Sequence, residues 1–231
     1  MKRAVSILIS ILAISGAILL LWPKIQGRHM ELEAEKKVQE FYTHEVQAEA
    51  PEQYALVLSA MQDYNDELYQ NHQVKLADPW AYESPCIDLS MFGLTDEAVA
   101  VLVIPSINVE LPVYLGASRD NMAKGAAVLG QTSMPIGGIN TNCVIAGHRG
   151  WNGADFFRYI TELKAGDEII LDNLWKTLHY KVRDSCVIDP DDVESVLIQE
   201  GKDMVTLLTC HPYASGGKYR YLVYCERAEG E

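Results

Sequence analysis

Met204-Val-Thr-Leu-Leu-Thr-Cys-His-Pro-Tyr213, with the return run Lys218-Tyr-Arg-Tyr-Leu-Val-Tyr-Cys225, decides the reading of this chain. Val205, Leu207 and Leu208 read as a buried strand, which Pro212 and Ser215-Gly216-Gly217 break at once. The β-branched and aromatic residues from Tyr219 onward read as the second strand of a hairpin. Cys210 therefore lies at a strand end beside a loop, where a thiol is held rigidly and still meets a ligand. The hairpin brings Arg220 back towards it. Upstream, Asn142-Cys-Val-Ile-Ala-Gly-His-Arg-Gly150 is another apolar run, ending on a histidine flanked by glycines. A thiol, an imidazole and a guanidinium at strand ends make a candidate acyl-transfer site.

From residue 98 onward the pattern predicts short strands at Ala98–Ile104, Val109–Leu115, Cys143–Ala146, Glu168–Leu171, Lys176–Arg183, Met204–Thr209 and Tyr219–Cys225. Helices are expected at Asp155–Leu163 and Pro190–Leu197, the second with Asp189 as N-cap and Pro190 at its first position. Regularly spaced strands of this kind suggest a closed or nearly closed barrel.

The chain has 231 residues, 48% of them hydrophobic, and a formal charge of −13. That length and composition suit one sizeable core, and the acidic balance argues against nucleic-acid binding. No phosphate-binding loop, Gly-rich dinucleotide turn or Cys-x-x-Cys pair occurs. The five cysteines are an odd, irregularly spaced set rather than a disulfide framework. Cys143, Cys186 and Cys225 read as small buried hydrophobes, and Cys86 follows a proline in a loop. A metal held by Cys210, His211 and His148 matches no zinc-ligand spacing, so neither metal nor cofactor is expected.

Ala4 to Trp22 is uncharged and almost wholly apolar between Lys2-Arg3 and Pro23-Lys24. As a helix it spans about 28 Å, close to a bilayer's hydrocarbon thickness. It exceeds the roughly 7–15 apolar residues of a cleaved signal and has no clear Ala-x-Ala site after it. The expectation is an uncleaved anchor at 4–22, with residues 1–3 cytoplasmic and the rest extracellular, although Lys24 and Arg28 blunt the charge asymmetry. Residues 23–75 read as a helical arm. Val38, Phe41, Tyr42 and Val46 follow helical spacing, as do Tyr54, Leu56, Leu58, Met61 and Tyr64 less strictly. Pro51 suits the first turn of a second helix, and no heptad supports a coiled-coil stalk.

The Thr-Leu-Leu-Thr-Cys run at 206–210, an arginine ten residues on, and the upstream Gly-His-Arg-Gly resemble the sortases, the cysteine transpeptidases of Gram-positive cell surfaces. The resemblance covers roughly residues 76–227. It implies a mostly β fold with helical additions: an eight-stranded sortase-type barrel over 83–231, N-terminal helices and one transmembrane helix. It implies Cys210 as nucleophile, His148 as general acid and then base, and Arg220 as the donor that holds an oxyanion or substrate carbonyl. Arginine stays protonated, and its fork suits that role. His211 is a rival imidazole, but adjacent strand residues point to opposite faces. His29, His44, His72 and His179 lack such context, and Arg149 and Arg227 are weaker candidates.

Leu76-Ala-Asp-Pro-Trp-Ala-Tyr82 looks like the lid of class C, pilin-polymerising sortases. By position, Asp78 would pair with Arg220 and Trp80 would cover Cys210, with 76–82 as the gate; read without the family, the same residues are a turn after the second helix. Two features depart from that class. The chain stops at Glu226-Arg-Ala-Glu-Gly-Glu231 without a second apolar segment, and the loop His211–Lys218 differs from the usual one. The implied partners are sorting-signal-bearing surface or pilin proteins, the membrane, and an amine acceptor. That acceptor is a pilin lysine or, for a housekeeping-type enzyme, a cell-wall precursor. A cysteine protease or hydrolase and a non-catalytic assembly protein are the alternatives.

Overall fold

The short apolar runs pair with one another until no barrel edge is left. In the computed structural model, which describes residues 2–46, 51–77, 82–94 and 98–228, the strands in chain order are as follows. They are β1 (Ala100–Ile104), β2 (Val109–Leu115), β3 (Ala126–Val128), β4 (Thr141–Ala146), β5 (Arg149–Trp151), β6 (Ala154–Phe156), β7 (Glu168–Asn173), β8 (Thr177–Ile188), β9 (Asp203–His211) and β10 (Tyr219–Arg227). Eight of them close in the order β1-β2-β3-β4-β9-β10-β8-β7, while β5 and β6 form a separate hairpin. Neighbours are antiparallel except for β2 with β3 and β4 with β9.

The β4–β9 pair explains why the run at 141–146 is apolar without alternation. Cys143 and Ile145 face the barrel interior with Val205, Leu207, Val223 and Cys225. Val144 and Ala146 face outward into a second apolar cluster with Leu76, Leu129, Val196, Met204, Leu222 and Tyr224. A strand buried on both faces loses the period-2 pattern. The outer cluster is fixed by a satisfied polar pair: Thr206 Oγ1 donates to Asn142 Oδ1 (2.8 Å), and Asn142 Nδ2 donates to the Val196 carbonyl (3.0 Å).

Helix α1 runs unbroken from Lys2 to Val46 through Pro23. Its Ala34, Val38 and Phe41 are buried, Val38 and Phe41 against Val101 of β1. Tyr42 donates to Asp172 Oδ2 at 2.9 Å. The preceding apolar side chains, including Ile9, Leu12, Leu19 and Leu20, are exposed. The stretch Ile9–Thr43 contains a window of mean hydropathy 1.6 with nothing buried, which makes α1 a candidate membrane anchor. Helix α2 (Pro51–Gln70) starts on its proline, as expected, and packs on the barrel. Val57, Met61, Asn65 and Leu68 are buried on it, whereas Leu56, assigned to that face by spacing, is 62% exposed.

Two expected helices are corrected. Asp155–Leu163 gives up its first residues to β6 and keeps one 3-10 turn at Ile160–Glu162, because Phe156, Phe157, Ile160 and Leu163 all turn into the core. Pro190–Leu197 is helical only at Glu194–Val196, too short to propagate an α-helix. Asp189 does not cap it; Asp192 accepts the Ser195 amide (3.2 Å) and hydroxyl (2.8 Å) instead. Strands β3, β5 and β6 are additions to the expected set. The five cysteines are free thiols.

Candidate active site

Three strand ends converge at one end of the barrel. In the β9–β10 hairpin, Cys210 lies directly opposite Arg220. Both share the outward face with Leu208 and Leu222, since Thr209 and Tyr221 occupy the intervening positions. Strand β4 runs parallel to β9 with Ala146 beside Leu208. The Gly147 amide then donates to the Leu208 carbonyl (3.0 Å), and Thr209 Oγ1 donates to the Gly147 carbonyl (2.7 Å). These bonds carry the pairing one residue past β4, so His148 enters beside Cys210.

Gly217 lets the hairpin loop close on the thiol and guanidinium. Its φ is +81°, and a Cβ there would stand 3.1 Å from Arg220 Nη1 and 3.3 Å from Cys210 Sγ. Arg220 Nη1 donates to the carbonyls of Gly217 (2.7 Å) and Tyr219 (3.2 Å). Among the described residues it has no carboxylate partner, so donors of the fork remain for a ligand.

His148 is held by its backbone and its ring. Its carbonyl accepts from the Phe157 and Gly150 amides, both at 2.9 Å. Its imidazole stacks on the Trp151 indole with centroids 4.3 Å apart and planes 11° from parallel. Nε2 is buried without a hydrogen-bond partner among the described residues. Burial lowers the imidazole pKa below its ordinary value, which favours the neutral form near pH 7. A neutral imidazole with a vacant nitrogen can take up a proton and hand it on.

His211, the rival imidazole, faces away from this group. Its ring stacks on Tyr221 at 5.7 Å, and Nδ1 lies 2.7 Å from Arg149 Nη1. A guanidinium only donates, so Nδ1 accepts, and Arg149 is further tied to Thr161 Oγ1 at 3.1 Å. Cys143 and Cys225 are sealed in the core, where burial drives their thiol pKa values well above the ordinary range. Such thiols stay protonated and inert, whereas Cys210 is partly exposed. Arg227 lies over the Tyr180 ring (5.4 Å), on β10 at the far end from Arg220.

Asp78 and Trp80 fall outside the described residues. Their flanks do not: Leu76 is buried in the outward cluster, and Tyr82 donates its hydroxyl to the Leu76 carbonyl at 2.9 Å. Sequence reasoning overlooked Trp151 and took Gly217 only as part of the strand break. Asn152-Gly153 was the available signal for the first, because that dipeptide marks a two-residue hairpin turn and both residues have positive φ.

The comparisons with known proteins agree with this architecture. The Sortase domain model matches residues 102–228. Sortase D of Bacillus subtilis (strain 168) is 31% identical over 135 residues, covering 58% of this chain and 65% of that protein. The chain thus spans just under two thirds of that curated relative. Among solved structures, sortase C of Clostridium perfringens SM101 is 34% identical with TM-score 0.67, covering 82% of this chain and 97% of that one. The pilus-related sortase C of Group B Streptococcus is 29% identical with TM-score 0.71, covering 82% and 96%. With more than half its length matched by the domain model and the same closed barrel throughout, the chain belongs to the sortase family.

Proposed function

We propose that this protein is a membrane-anchored cysteine transpeptidase that cleaves an LPxTG-like sorting signal and passes the acyl group to an amine. The observation that carries the reading is the convergence of Cys210, Arg220 and His148 at the ends of β9, β10 and β4. Cys210 sulfur attacks the threonine carbonyl, and Arg220 holds the oxygen that becomes negative. His148 takes the thiol proton and delivers it to the departing glycine amine as the carbon–nitrogen bond breaks. The incoming amine then gives a proton to His148 and displaces the sulfur, which restores the thiol. The half-buried setting keeps this group accessible to an extended peptide, and the outward apolar cluster beneath Cys210 suits its leucine and proline.

The amine is proposed to be a pilin lysine. The class C neighbours and the Leu76–Tyr82 segment, with Asp78 and Trp80 as lid, support this. Residues 4–22 are proposed as the transmembrane anchor, 1–3 as cytoplasmic, 23–75 as the extracellular arm and 83–231 as the catalytic barrel. Incubating the full chain with a sorting-motif peptide and either a pilin-derived lysine peptide or a wall-type amine tests the proposal by product mass. A lysine isopeptide product is expected. A wall-type product alone would assign it to wall anchoring, and hydrolysis alone to a protease.

A further inference from the structure

The β5–β6 hairpin stands between the catalytic histidine and the N-terminal helix, and both contacts are built without slack. On one side, Trp151 of β5 stacks on the His148 ring, and Gly147 packs so closely on Phe157 that a Cβ would lie 2.6 Å from that ring. On the other side, the Asn152–Gly153 turn abuts α1. A Cβ on Gly27 would overlap the Gly153 carbonyl group, and one on Gly153 would overlap the Pro23 carbonyl. Two glycines at one crossing let the backbones meet directly. The crossing lies within five residues of Trp22, the end of the long apolar stretch. The hairpin is also flanked by the β9–β10 loop: Tyr213 lies 3.2 Å from where a Gly150 Cβ would stand, and the Arg158 guanidinium lies over the Tyr213 ring at 4.8 Å.

We infer that Trp151 is the positioning residue for the His148 imidazole, and that the Pro23–Gly27 turn of α1 sets its place through the Asn152–Gly153 turn. The part of this inference that concerns turnover rests on the acid–base role proposed for His148. A hairpin of two three-residue strands has little stability of its own. Its orientation therefore depends on what it is packed against, and α1 supplies a backbone-to-backbone stop. The helix that emerges from the apolar stretch is in this way part of the active-site scaffold. The charged groups on the surrounding elements are Arg149, committed to His211 and Thr161, the Asp155–Arg158 ion pair (3.2 Å), Arg220, Lys24, and Arg28, which pairs with Glu31 and Glu35. Tyr213 and Cys210 are further titratable groups on these elements. Burial, rather than any of these charges, is what lowers His148.

The test uses the full chain in detergent micelles with histidine labelled at Cε1, following the His148 resonance across pH and assigning it with His148→Gln. In the parent, the resonance is expected to carry the indole's ring-current shift and to titrate below an ordinary imidazole. Trp151→Ala should abolish that shift and move the midpoint upward, with turnover down about tenfold or more, the scale of a misplaced catalytic group. Trp151→Phe should restore most of all three. Gly27→Val should move shift and midpoint in the same direction as Trp151→Ala, and Gly27→Ala less so. Gly16→Val, where a Cβ meets nothing within 4 Å, should change neither. The milder Gly27→Ala keeps the test decisive if Gly27→Val does not fold. Unchanged His148 signals in both Gly27 variants would remove α1 from the inference, and unchanged signals in Trp151→Ala would overturn it. Full turnover in His148→Gln, together with the expected Trp151 and Gly27 effects on the His148 signal of the otherwise parent chain, would instead reject the catalytic role and leave the positioning contact standing.

Discussion

Cys210 differs from Cys143 and Cys225 by exposure, and from Cys186, which is half-buried rather than buried as expected, by its partner, since the Cys186 thiol donates to the Tyr224 hydroxyl (3.5 Å). Cys143 is 3% exposed inside the barrel, whereas Cys210 is partly exposed and faces Arg220 across the hairpin. Cys210→Ala is expected to abolish thioester formation and amide transfer with the fold intact, while Cys143→Ala keeps both; intact-mass detection of the acyl-enzyme distinguishes them. Arg220→Lys should lower turnover by at least about 10²-fold, because a point charge does not reproduce the planar fork. A lysine variant of near-parent activity would mean that charge alone suffices there. Gly217→Ala should cost about 1–2 kcal/mol through its left-handed backbone and slow acylation, since the new carbon crowds Arg220 and Cys210. His148 gives a pH dependence of definite sign. Its folded pKa lies below the unfolded value, so the unfolded chain binds a proton there first as the pH falls. Stability is therefore lost on acidification from about pH 6.5 down through the folded-state pKa, and is unaffected by this group above that window. Melting midpoints of the parent should fall more steeply between about pH 7 and pH 5 than those of His148→Gln. Superimposed curves would show that the imidazole is not desolvated.

At the scale of elements, α2 holds to the barrel through Met61, fully buried, and through Asn65, whose Oδ1 accepts the Met134 amide at 2.7 Å. Met61→Ala should cost about 2–5 kcal/mol in denaturant unfolding, whereas Leu56→Ala, on the solvent side, should stay within about 0.5 kcal/mol. Helical spacing alone favoured Leu56, because the next residue, Val57, is equally apolar and only packing tells the two apart. The same distinction runs through the rest of the fold. The hairpin that pairs Cys210 with Arg220 was legible, since a strand, a Pro/Gly break and a returning strand are local signals ten residues apart. The approach of His148 was less so: the apolar run ending in Gly-His-Arg-Gly marked the imidazole as a candidate, but its place depends on parallel pairing of β4 with β9 across some sixty residues of chain, and the family resemblance supplied its expected role. Strands β3, β5 and β6 are three residues long, too short to show a period. For β5–β6 the Asn152-Gly153 turn was nonetheless readable. Asp155–Leu163 misled because its apolar residues face the core from a strand end and a 3-10 turn, a pattern that imitates a helix face.

Across the whole molecule, the outward cluster beneath the candidate site is closed on one side by residues that arrive from outside the barrel. Leu76 is 1% exposed within it, and the Tyr82 carbonyl accepts the Ala117 (2.9 Å) and Gly130 (3.0 Å) amides. The segment that carries Asp78 and Trp80 is therefore tied at both ends to the face that bears Cys210. If Asp78 pairs with Arg220 and Trp80 covers the thiol, the resting protein is mostly a covered population, and its reactivity is scaled by the open fraction. Removing either side chain would then raise that fraction without touching Cys210. Asp78→Ala and Trp80→Ala should each speed alkylation of Cys210 by a thiol reagent and should not slow hydrolysis of a sorting-motif peptide. Both should lower the melting temperature modestly if that pairing and cover hold the segment to the barrel. Stopped-time alkylation with mass detection, corrected with a Cys210→Ala control for the other four thiols, measures the rates directly. Faster alkylation in both variants, with unchanged rates when the indole is kept as Trp80 but Ala81 is altered to Gly, would fit a cover made by these two side chains. Parent-like rates in Asp78→Ala and Trp80→Ala would reduce residues 76–82 to a linker and withdraw the main support for pilin lysine over a wall amine.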